Sequence, residues 1–340
     1  MEHYKYPIDF VVTWVDSCDP EWEKEYQRYS EGRQRNDKAR FRNWDLFKYW
    51  FRAIETYAPW VNKVYLVTNG TFPKWINAIH PKLVLVKHSD YIPKEFLPTF
   101  NSHTIELFMH KIPELSEHFV YFNDDTFLNA PILPDYYFRM GLPCDCNIEQ
   151  VFSSPIYSPL NKFHILIIQY CNIAVLNSHY NRKEVVKQSY KRWYGKHLGL
   201  KGLIISTLQR GKTTFEGFKW RHNEQPFLKS VFEEAWEQEE HMLRDSCTRF
   251  RQDVSLNQYF IRYWQFATNK FYPVNLNACK FYPIIERHYE TILSAIDNPR
   301  NKSLCLNDTP LCSDDFYEKI RIDLRRKFEE KFPNKSSFEF

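Results

Sequence analysis

Glycine is scarce in this sequence: the chain has 340 residues, and only 8 of them are glycine. Phosphate-binding loops need several glycines, because only a backbone without side chains can wrap closely around phosphate oxygens. The one fragment of this type, Gly211-Lys212-Thr213, lacks the upstream glycine, since position 206 is Ser206. The sequence therefore excludes a site built on a glycine-rich phosphate loop.

Long apolar runs are missing as well. The most apolar short segment, Ile165–Ile168, has four residues, whereas a membrane-spanning helix needs about 18. The N-terminus has no apolar region typical of a secretory signal. We therefore expect a cytoplasmic protein whose 8 cysteines are reduced. Cys144 and Cys146 have no second pair at zinc-ligand spacing, which favours buried thiols over a zinc site.

A strong excess of charge of one sign is also absent. Lys and Arg number 46 and Asp and Glu 42, which gives a net charge of +4. This mild excess, mixed along the chain, does not indicate a nucleic-acid partner, and we expect none. A local pocket for an anionic substrate remains open.

Apolar residues make up 43% of the chain and aromatic residues 18%, so the chain can bury a sizeable core. In the first half, apolar segments of strand type alternate with segments of helical periodicity. The predicted strands are Ile8–Val15, Val64–Val67, Leu83–Val86 and Phe119–Phe122. The predicted helices are Trp44–Tyr57, one after Pro73, and one from Asn101-Ser102 to about Ile112. This alternation predicts an α/β fold with a mostly parallel sheet and flanking helices.

The second half is predicted to be mixed and largely helical, and residues 131–220 indicate no topology. One helix is predicted to begin near Pro226 and another near Ser255, where Ser255-Leu256-Asn257-Gln258 fits a capping box. In the tail, apolar residues recur every fourth position from Phe316 to Phe328. This stripe either packs on the core or lies on an anionic membrane surface. No linker interrupts the chain, so we expect a single domain over residues 1–340.

Polar residues follow the predicted strands at the points where they end. They are Asp16, Asn69-Gly70, His88-Ser89-Asp90 and Asn123-Asp124-Asp125. In an open α/β sheet, ligands bind at the carboxyl ends of the strands. The adjacent carboxylates of Asp124 and Asp125 can hold a hard divalent cation, Mg²⁺ or Mn²⁺, which in turn neutralises a diphosphate. The alternative is an acidic turn that only caps the next segment.

Later in the chain, a histidine and two arginines precede predicted helices. His222 precedes the helix near Pro226, where an imidazole can face an anion beside free backbone N–H groups. Arg249 and Arg251 precede the helix near Ser255 and can hold phosphate oxygens in two-pronged contacts. A structural histidine and solvated arginines are the plainer interpretations of each residue alone. Together with the acidic turn, the set indicates metal-assisted chemistry at phosphate.

Four stretches of the chain carry distinctive motifs. The first is Ile8-Asp9-Phe10-Val11-Val12-Thr13-Trp14-Val15-Asp16 with Asp19-Pro20-Glu21-Trp22. The second, residues 40–129, contains Ala58-Pro59-Trp60, Val67-Thr68-Asn69-Gly70, Leu97-Pro98-Thr99-Phe100-Asn101-Ser102, Ile105-Glu106 and Tyr121-Phe122-Asn123-Asp124-Asp125. The third and fourth are His222–Phe232 and Asp253–Phe266. In this order, the four stretches resemble the four conserved blocks of the Stealth family of sugar-phosphate transferases. The departures from the family, Ser17-Cys18 and Tyr49-Trp50-Phe51-Arg52, remove no charged group.

The resemblance implies a nucleotide-sugar-transferase-like core, with residues 1–130 as the nucleotide-sugar-binding half and residues 131–340 completing the catalytic site. It implies transfer of a sugar 1-phosphate from a UDP-sugar, such as UDP-N-acetylglucosamine, to a hydroxyl of a glycan or capsular polysaccharide. UMP would be released and a phosphodiester formed. The family also includes the lysosomal-enzyme N-acetylglucosamine-1-phosphotransferase, whose further recognition modules do not fit in 340 residues. A bacterial capsule enzyme is therefore the expected relative.

The resemblance also implies roles for single residues. Asp125, His222 and Arg249 would be catalytic, and Asp124 and Asp125 would bind the metal. Because an imidazole with a pKa of about 6.5 suits proton removal at neutral pH, His222 is predicted to be the general base or, failing that, a direct phosphate contact. Substrate or nucleotide contacts are implied for Thr13, Trp14, Asp16, Arg42, Asn69, Asn101, Ser102, Asn123 and Asp253. The implied partners are the UDP-sugar donor and the glycan acceptor, with a peripheral contact to the membrane or to the capsule assembly machinery.

Two other functions remain compatible with the sequence. A metal-dependent glycosyltransferase would use the same acidic residues but transfer the sugar itself and release UDP. A non-catalytic glycan-binding module would use the aromatic side chains to stack on sugar rings. The nucleotide product separates the first from phosphate transfer, and turnover of any kind excludes the second.

Overall fold

The structure of the protein is a computed structural model that describes residues 6–30, 42–150 and 163–340. Its strands are β1 (Ile8–Thr13), β2 (Val64–Thr68), β3 (Leu83–Lys87), β4 (His118–Asn123), β5 (Thr126–Leu128), β6 (Phe138–Arg139), β7 (Leu142–Asp145), β8 (Gln225–Leu228), β9 (Tyr272–Pro273), β10 (Cys279–Pro283) and β11 (Ser303–Asn307). Its α-helices are α1 (Pro20–Ser30), α2 (Phe47–Tyr57), α3 (Ser102–Leu107), α4 (Phe163–His179), α5 (Arg182–Gln188), α6 (Tyr190–Trp193), α7 (Gly199–Leu208), α8 (Lys229–Gln238), α9 (Glu240–Ser246), α10 (Gln258–Ala267), α11 (Tyr289–Asp297) and α12 (Asp314–Lys331).

The central sheet has five strands in the order β3-β2-β1-β4-β8. β1 is parallel to β2 and to β4, and β8 runs antiparallel at the edge. Phe10, Val11 and Val12 of β1 are all fully buried, so both faces of the strand are covered, as its uninterrupted apolar run requires. Trp50 of α2 packs edge-on against Phe122 of β4. The predicted α/β fold with a mostly parallel sheet is confirmed.

The strand order reverses between β1 and β4. The chain builds the sheet outward from β1 to β2 and β3, and then returns to place β4 on the other side of β1. A reversal of this kind opens a crevice at the carboxyl ends of the two strands, and ligands of α/β proteins bind there. The register pairs Thr13 with Asn123, the last residues of β1 and β4. Of the predicted strand-end residues, Asp16 and Asn123-Asp124-Asp125 thus follow or end the two strands at the switch point, whereas Asn69-Gly70 and His88-Ser89-Asp90 follow β2 and β3.

The predicted strands agree with the structure to within a few residues. β1 ends at Thr13 rather than Val15, because the ring of Trp14 leaves the sheet and stacks on Phe47 with 5.7 Å between centroids. β2, β3 and β4 each extend one residue beyond their predicted carboxyl ends.

Two predicted helix starts in the second half are wrong. Pro226 lies inside β8, paired with Val120 of β4, where an edge strand tolerates a residue without an N–H donor. The helix there is α8, which begins at Lys229. Ser255 does not cap α10: the side chain of Asn257 accepts the N–H of Tyr259 and forms the cap. His222 therefore lies before a strand, and not beside the open N–H groups of a helix.

The helix predicted after Pro73 is also wrong. Residues 73–82 form turns, and Ile76 makes an isolated bridge with Glu339 near the C-terminus. The cap predicted at Asn101 is confirmed, because its side chain accepts the N–H of His103 at the start of α3. This helix ends at Leu107 and is followed by a short 3₁₀ turn up to Lys111.

The apolar stripe of the tail belongs to the core. In α12, the four stripe residues are buried, and they are Phe316, Ile320, Leu324 and Phe328. The ring of Phe328 contacts Tyr49 of α2 and Phe127 of β5. The guanidinium of Arg52 forms two hydrogen bonds to the carboxylate of Glu339, at 2.8 and 3.0 Å. The hypothesis that this stripe lies on a membrane is therefore wrong.

The two halves of the sequence share their sheets. β8, from the second half, completes the central sheet, and β5 pairs with β11 in a second sheet of order β10-β11-β5. A third small sheet has the order β6-β7-β9. Because β5 begins directly after Asp125, the second sheet fixes one side of the acidic turn.

Cys144 and Cys146 are buried, as predicted, and the reduced state of the cysteines stays a prediction. Among the residues that the structure describes, no helix combines the length and the apolar character that crossing a bilayer demands.

Candidate active site

The acidic turn joins the central sheet to the second sheet. Asp124 and Asp125 connect the end of β4 to the start of β5. The backbone carbonyl of Asp125 accepts the N–H of Leu306 at 2.9 Å. Its carboxylate accepts hydrogen bonds of 3.1 Å from the hydroxyl of Thr126 and from the amide of Asn307. The position of the turn is thus fixed by β11, which comes about 180 residues later in the chain.

His222 lies directly beside this turn. Its Nε2 is 3.5 Å from Oδ2 of Asp125 and 3.5 Å from Nδ2 of Asn123. The imidazole stacks on Trp220 and meets the edge of Phe281. The side chains of His222 and Asp125 are each 22% exposed, so the pair is fixed by its neighbours and still reaches the open crevice.

The two carboxylates of the turn have different electrostatic surroundings. Burial and the neighbouring charge of Asp125 raise the pKa of Asp124 to about 7, although its side chain is exposed to solvent. Burial disfavours both charges of the Asp125–His222 pair, but their mutual attraction prevails: it lowers the pKa of Asp125 and raises that of His222. The pair therefore favours a carboxylate beside an imidazolium.

A chain of hydrogen bonds runs behind the turn. The hydroxyl of Tyr121 donates to Oδ1 of Asn123 at 2.7 Å, and it also lies 3.3 Å from Glu106 and 3.2 Å from the hydroxyl of Thr13. Burial raises the pKa of Glu106 above its ordinary value. Thr13 and Asn123, both named as binding residues from the resemblance, are thus linked through Tyr121, and neither Tyr121 nor Glu106 was named as a site residue from the sequence. Both are part of the quoted motifs, but their burial cannot be read from the sequence.

The segment around Arg249 packs against the start of α3. The guanidinium of Arg249 donates to the carbonyls of Pro98 and Leu97, and it lies over the ring of Tyr29 at 4.2 Å. The guanidinium of Arg251 donates to the hydroxyl of Ser102. Arg251 and Ser102 also interact electrostatically with Glu106, which links this segment to the polar chain behind the acidic turn.

Asn101 and Asp253 differ in exposure. Asn101 is fully buried, and its amide donates to Thr248 while its oxygen caps α3. Asp253 is exposed. The predicted contacts of both residues with substrate stay predictions.

The remaining predicted binding residues lie around the same sheet edge or farther along the surface. Asp16 follows β1, and its carboxylate accepts the N–H of Cys18. Asn69 follows β2 in a turn that contains Gly70 at a φ of 125°, a backbone conformation that favours glycine. Arg42 pairs with Asp308 at 3.4 Å and with Asp314 at 2.6 Å. Asp308 directly follows Asn307, whose amide donates to Asp125. Arg42 therefore contacts the end of the second sheet, outside the acidic turn.

Three potential ligand atoms converge beside the turn. Asp125, His222 and Cys305 each place one donor atom within 4.8 Å of the others. Oxygen donors suit Mg²⁺ and Mn²⁺ best, and Asp124 and Asp125 supply them. The pKa of Asp124 is raised first by desolvation and second by the negative charge of Asp125. The carboxylates of the acidic turn thus fit a hard divalent cation. Cys305 and Asn307, which lie beside the turn, were not named as site residues from the sequence.

An acidic turn with a histidine 3.5 Å from one carboxylate lies at the switch point of a mostly parallel sheet, where α/β proteins bind ligands. Comparison with known proteins identifies the class of enzyme. Residues 6–34 match conserved region 1 of Stealth proteins, CR1, and residues 40–144 match conserved region 2, CR2. No matching region tests the resemblance proposed for His222–Phe232 and Asp253–Phe266, which stays a prediction.

Relatives match along almost the whole chain. The capsular polysaccharide phosphotransferase WcwK of Streptococcus pneumoniae is 39% identical over 338 residues, with 98% of each chain covered. The exopolysaccharide phosphotransferase cps2G of Lactiplantibacillus plantarum is 35% identical over 342 residues, covering 98% of this chain and 96% of that protein. The apo structure of the WbbM bifunctional glycosyltransferase aligns with a TM-score of 0.42 and 11% identity, over 98% of this chain and 50% of that one. The chain belongs to the Stealth family, and it is an enzyme of the phosphotransferase class.

Proposed function

We propose that this enzyme transfers a sugar 1-phosphate from a UDP-sugar, such as UDP-N-acetylglucosamine, to a hydroxyl of a glycan. The products are UMP and a phosphodiester link in a capsular polysaccharide. The names of the two relatives, a capsular and an exopolysaccharide phosphotransferase, support this substrate class. A cytoplasmic site of action, where nucleotide sugars are made, is part of the proposal.

The observation that carries the proposal is the placement of the Asp124–Asp125 turn. It lies at the switch point of the sheet, with His222 3.5 Å from Asp125. A nucleotide diphosphate bound at this edge would bring its charge to the two carboxylates, which repel it unless a cation intervenes. Mg²⁺ or Mn²⁺ held by Asp124 and Asp125 would neutralise the diphosphate and the charge that develops during transfer.

His222 is proposed to remove the proton of the acceptor hydroxyl. The hydroxyl oxygen forms a bond to the phosphorus that carries the sugar, and the bond from that phosphorus to the oxygen of UMP breaks. The proton passes to Nδ1 of His222, while Asp125 holds the ring through Nε2 at 3.5 Å. Asp125 raises the pKa of this imidazole and so makes it a stronger base, as an orienting carboxylate does in other His–Asp pairs. The ring must lose its proton before each cycle.

The identity of the nucleotide product tests the proposal directly. The purified enzyme is incubated with a panel of UDP-sugars, Mg²⁺ and capsule fragments, and the released nucleotide is identified by chromatography. We expect UMP and a product that gains both sugar and phosphate. Release of UDP would replace the proposal with glycosyl transfer. Binding of glycan without turnover of any nucleotide sugar would reduce the protein to a glycan-binding module.

A further inference from the structure

Helix α7 carries its apolar side chains on the outside. Leu200, Ile204 and Leu208 are 78%, 53% and 78% exposed, and Leu203 is 38% exposed. The first three are spaced four residues apart, so they form one row along the helix. A helix of a globular protein normally turns such a row toward the core.

Small and polar residues occupy the inner side of α7 instead. Gly202, Ser206 and Gln209 are buried. A Cβ atom at Gly202 would lie 3.1 Å from the Cβ atom of Leu198 and 3.4 Å from the side chain of Ile148, so a larger residue here would make these neighbours shift. The guanidinium of Arg182 donates to the carbonyl of Gln209 at 2.8 Å. The hydroxyl of Tyr194 donates to the backbone carbonyl of Ser206 at 3.1 Å. These contacts fix the rotation of α7 and hold the apolar row in solvent.

The surroundings of α7 are strongly basic. Residues 182–212 contain nine Lys and Arg residues and a single acidic residue, Glu184. This segment therefore has a net charge of +8, whereas the whole chain has only +4. Arg182 is internal, paired with Glu149, but Lys196, Lys201 and Arg210 next to or within α7 are exposed. The exposed apolar helix thus lies within a basic stretch of the sequence, whose last residue, Lys212, pairs with Glu216 at 2.6 Å.

We infer that α7 docks the enzyme on the surface of an anionic lipid bilayer. An exposed apolar row inserts at the boundary between headgroups and acyl chains, and flanking cations are attracted to anionic headgroups. The contact lies on α7 and not on the buried stripe of α12. Two contacts link α7 to the candidate active site. Gly202 of α7 packs on Ile148, and the carbonyl of Ile148 accepts the N–H of Lys219. Lys219 lies three residues before His222. The inference does not depend on which group the enzyme transfers.

Flotation of the full chain with vesicles tests the inference. We expect binding to phosphatidylcholine vesicles that contain phosphatidylglycerol, weak binding to phosphatidylcholine alone, and loss of binding as the salt concentration rises. The double variant Leu200→Glu/Leu208→Glu removes the apolar row and should lower the partition coefficient about tenfold or more. Lys201→Glu/Arg210→Glu should lower binding to anionic vesicles only.

Matched controls replace exposed apolar residues elsewhere. Ile79→Glu and Ile322→Glu change side chains that are 87% and 63% exposed, and both variants should bind vesicles like the wild type. Turnover of a water-soluble acceptor should be unchanged in all four variants, which separates this test from that of the proposed function. Equal vesicle binding by the wild type and Leu200→Glu/Leu208→Glu would overturn the inference. So would a wild-type dimer that this variant dissociates, since the face would then be an interface between two copies.

Discussion

The carboxylates of the acidic turn differ from those of the buried ion pairs of the second half in how far the protein neutralises their charge. Asp145 is 1% exposed, and both of its oxygens accept hydrogen bonds from the guanidinium of Arg262, at 2.7 and 2.9 Å. Glu149 is held in the same two-pronged way by Arg182. In these pairs the protein supplies the whole compensating charge, which makes them structural.

At the acidic turn, the protein neutralises the negative charge of the two carboxylates only in part. Asp125 has only His222 as a cationic neighbour, and no ion pair with Asp124 exists among residues 6–30, 42–150 and 163–340. The pKa of Asp124 rises to about 7 as a result of burial and of the charge of Asp125. A carboxylate whose pKa is shifted in this way is a candidate for a functional site. The contrast therefore distinguishes carboxylates that are paired within the fold from those that we propose to bind a cation.

The largest effect is expected at the turn itself. Asp125→Asn keeps the shape of the side chain but removes the charge that holds His222 and the metal, so turnover should fall by about a thousandfold or more. The thermal midpoint should fall only slightly, because the cation that loses its partner is the imidazolium of His222, which is 22% exposed and can release its proton. Asp135→Asn, at an exposed 3₁₀ turn, is the matched control and should leave turnover unchanged. Full activity of Asp125→Asn, or of the wild type in excess chelator, would refute the metal role.

The opposite behaviour is expected at the structural pairs. Asp145→Asn leaves the guanidinium of Arg262 buried without a counter-charge, which should lower the free energy of unfolding by about 3–5 kcal/mol. Unfolding in denaturant measures this loss. Glu95→Gln disrupts an ion pair with Arg244 whose side chains are both about half exposed, and it should cost about 1 kcal/mol or less. Similar losses in the two variants would remove the distinction between the two regions.

His222→Ala should lower kcat by about a hundredfold or more while the affinity for the donor is nearly kept. Asp125 raises the pKa of His222, and a base works only when it is unprotonated. The rate of the wild type should therefore fall as the pH drops through a value above about 6.5, the ordinary pKa of histidine. This acidic limb should be absent from the pH–rate profile of the variant. Loss of donor binding with kcat preserved at saturation would identify His222 as a phosphate ligand instead.

A smaller effect is expected at Arg249. Lysine cannot replace the planar contacts of the guanidinium with Pro98, Leu97 and the ring of Tyr29. Arg249→Lys should lower turnover about tenfold or more, since arginine is expected to contact the transferred phosphoryl group as well. Arg326→Lys, on the exposed face of α12, should have no effect. If Arg249→Lys is less stable but turns over normally, Arg249 only positions the loop at Pro98.

The sequence predicts most of the central sheet, because its strands are apolar runs that need no knowledge of their partners. It fails at Pro226, where a short strand forms only because β4 offers an open edge. The acidic turn and His222 are found from local motifs. Asn307 and Cys305 are not, because β11 reaches the turn from about 180 residues away, and such pairings leave no local pattern. The apolar tail shows the same limit: periodicity identifies the stripe, and only packing shows what covers it.

Binding of Mn²⁺, followed by electron paramagnetic resonance in the presence of UDP, tests the central claim most directly. The wild type should bind one ion, and Asp124→Asn and Asp125→Asn should each weaken the binding by about tenfold or more, because each removes an oxygen ligand and a negative charge. Asp135→Asn should bind the ion like the wild type. Unchanged Mn²⁺ affinity in both turn variants would contradict the account, since Asp124 and Asp125 would then not bind the metal ion.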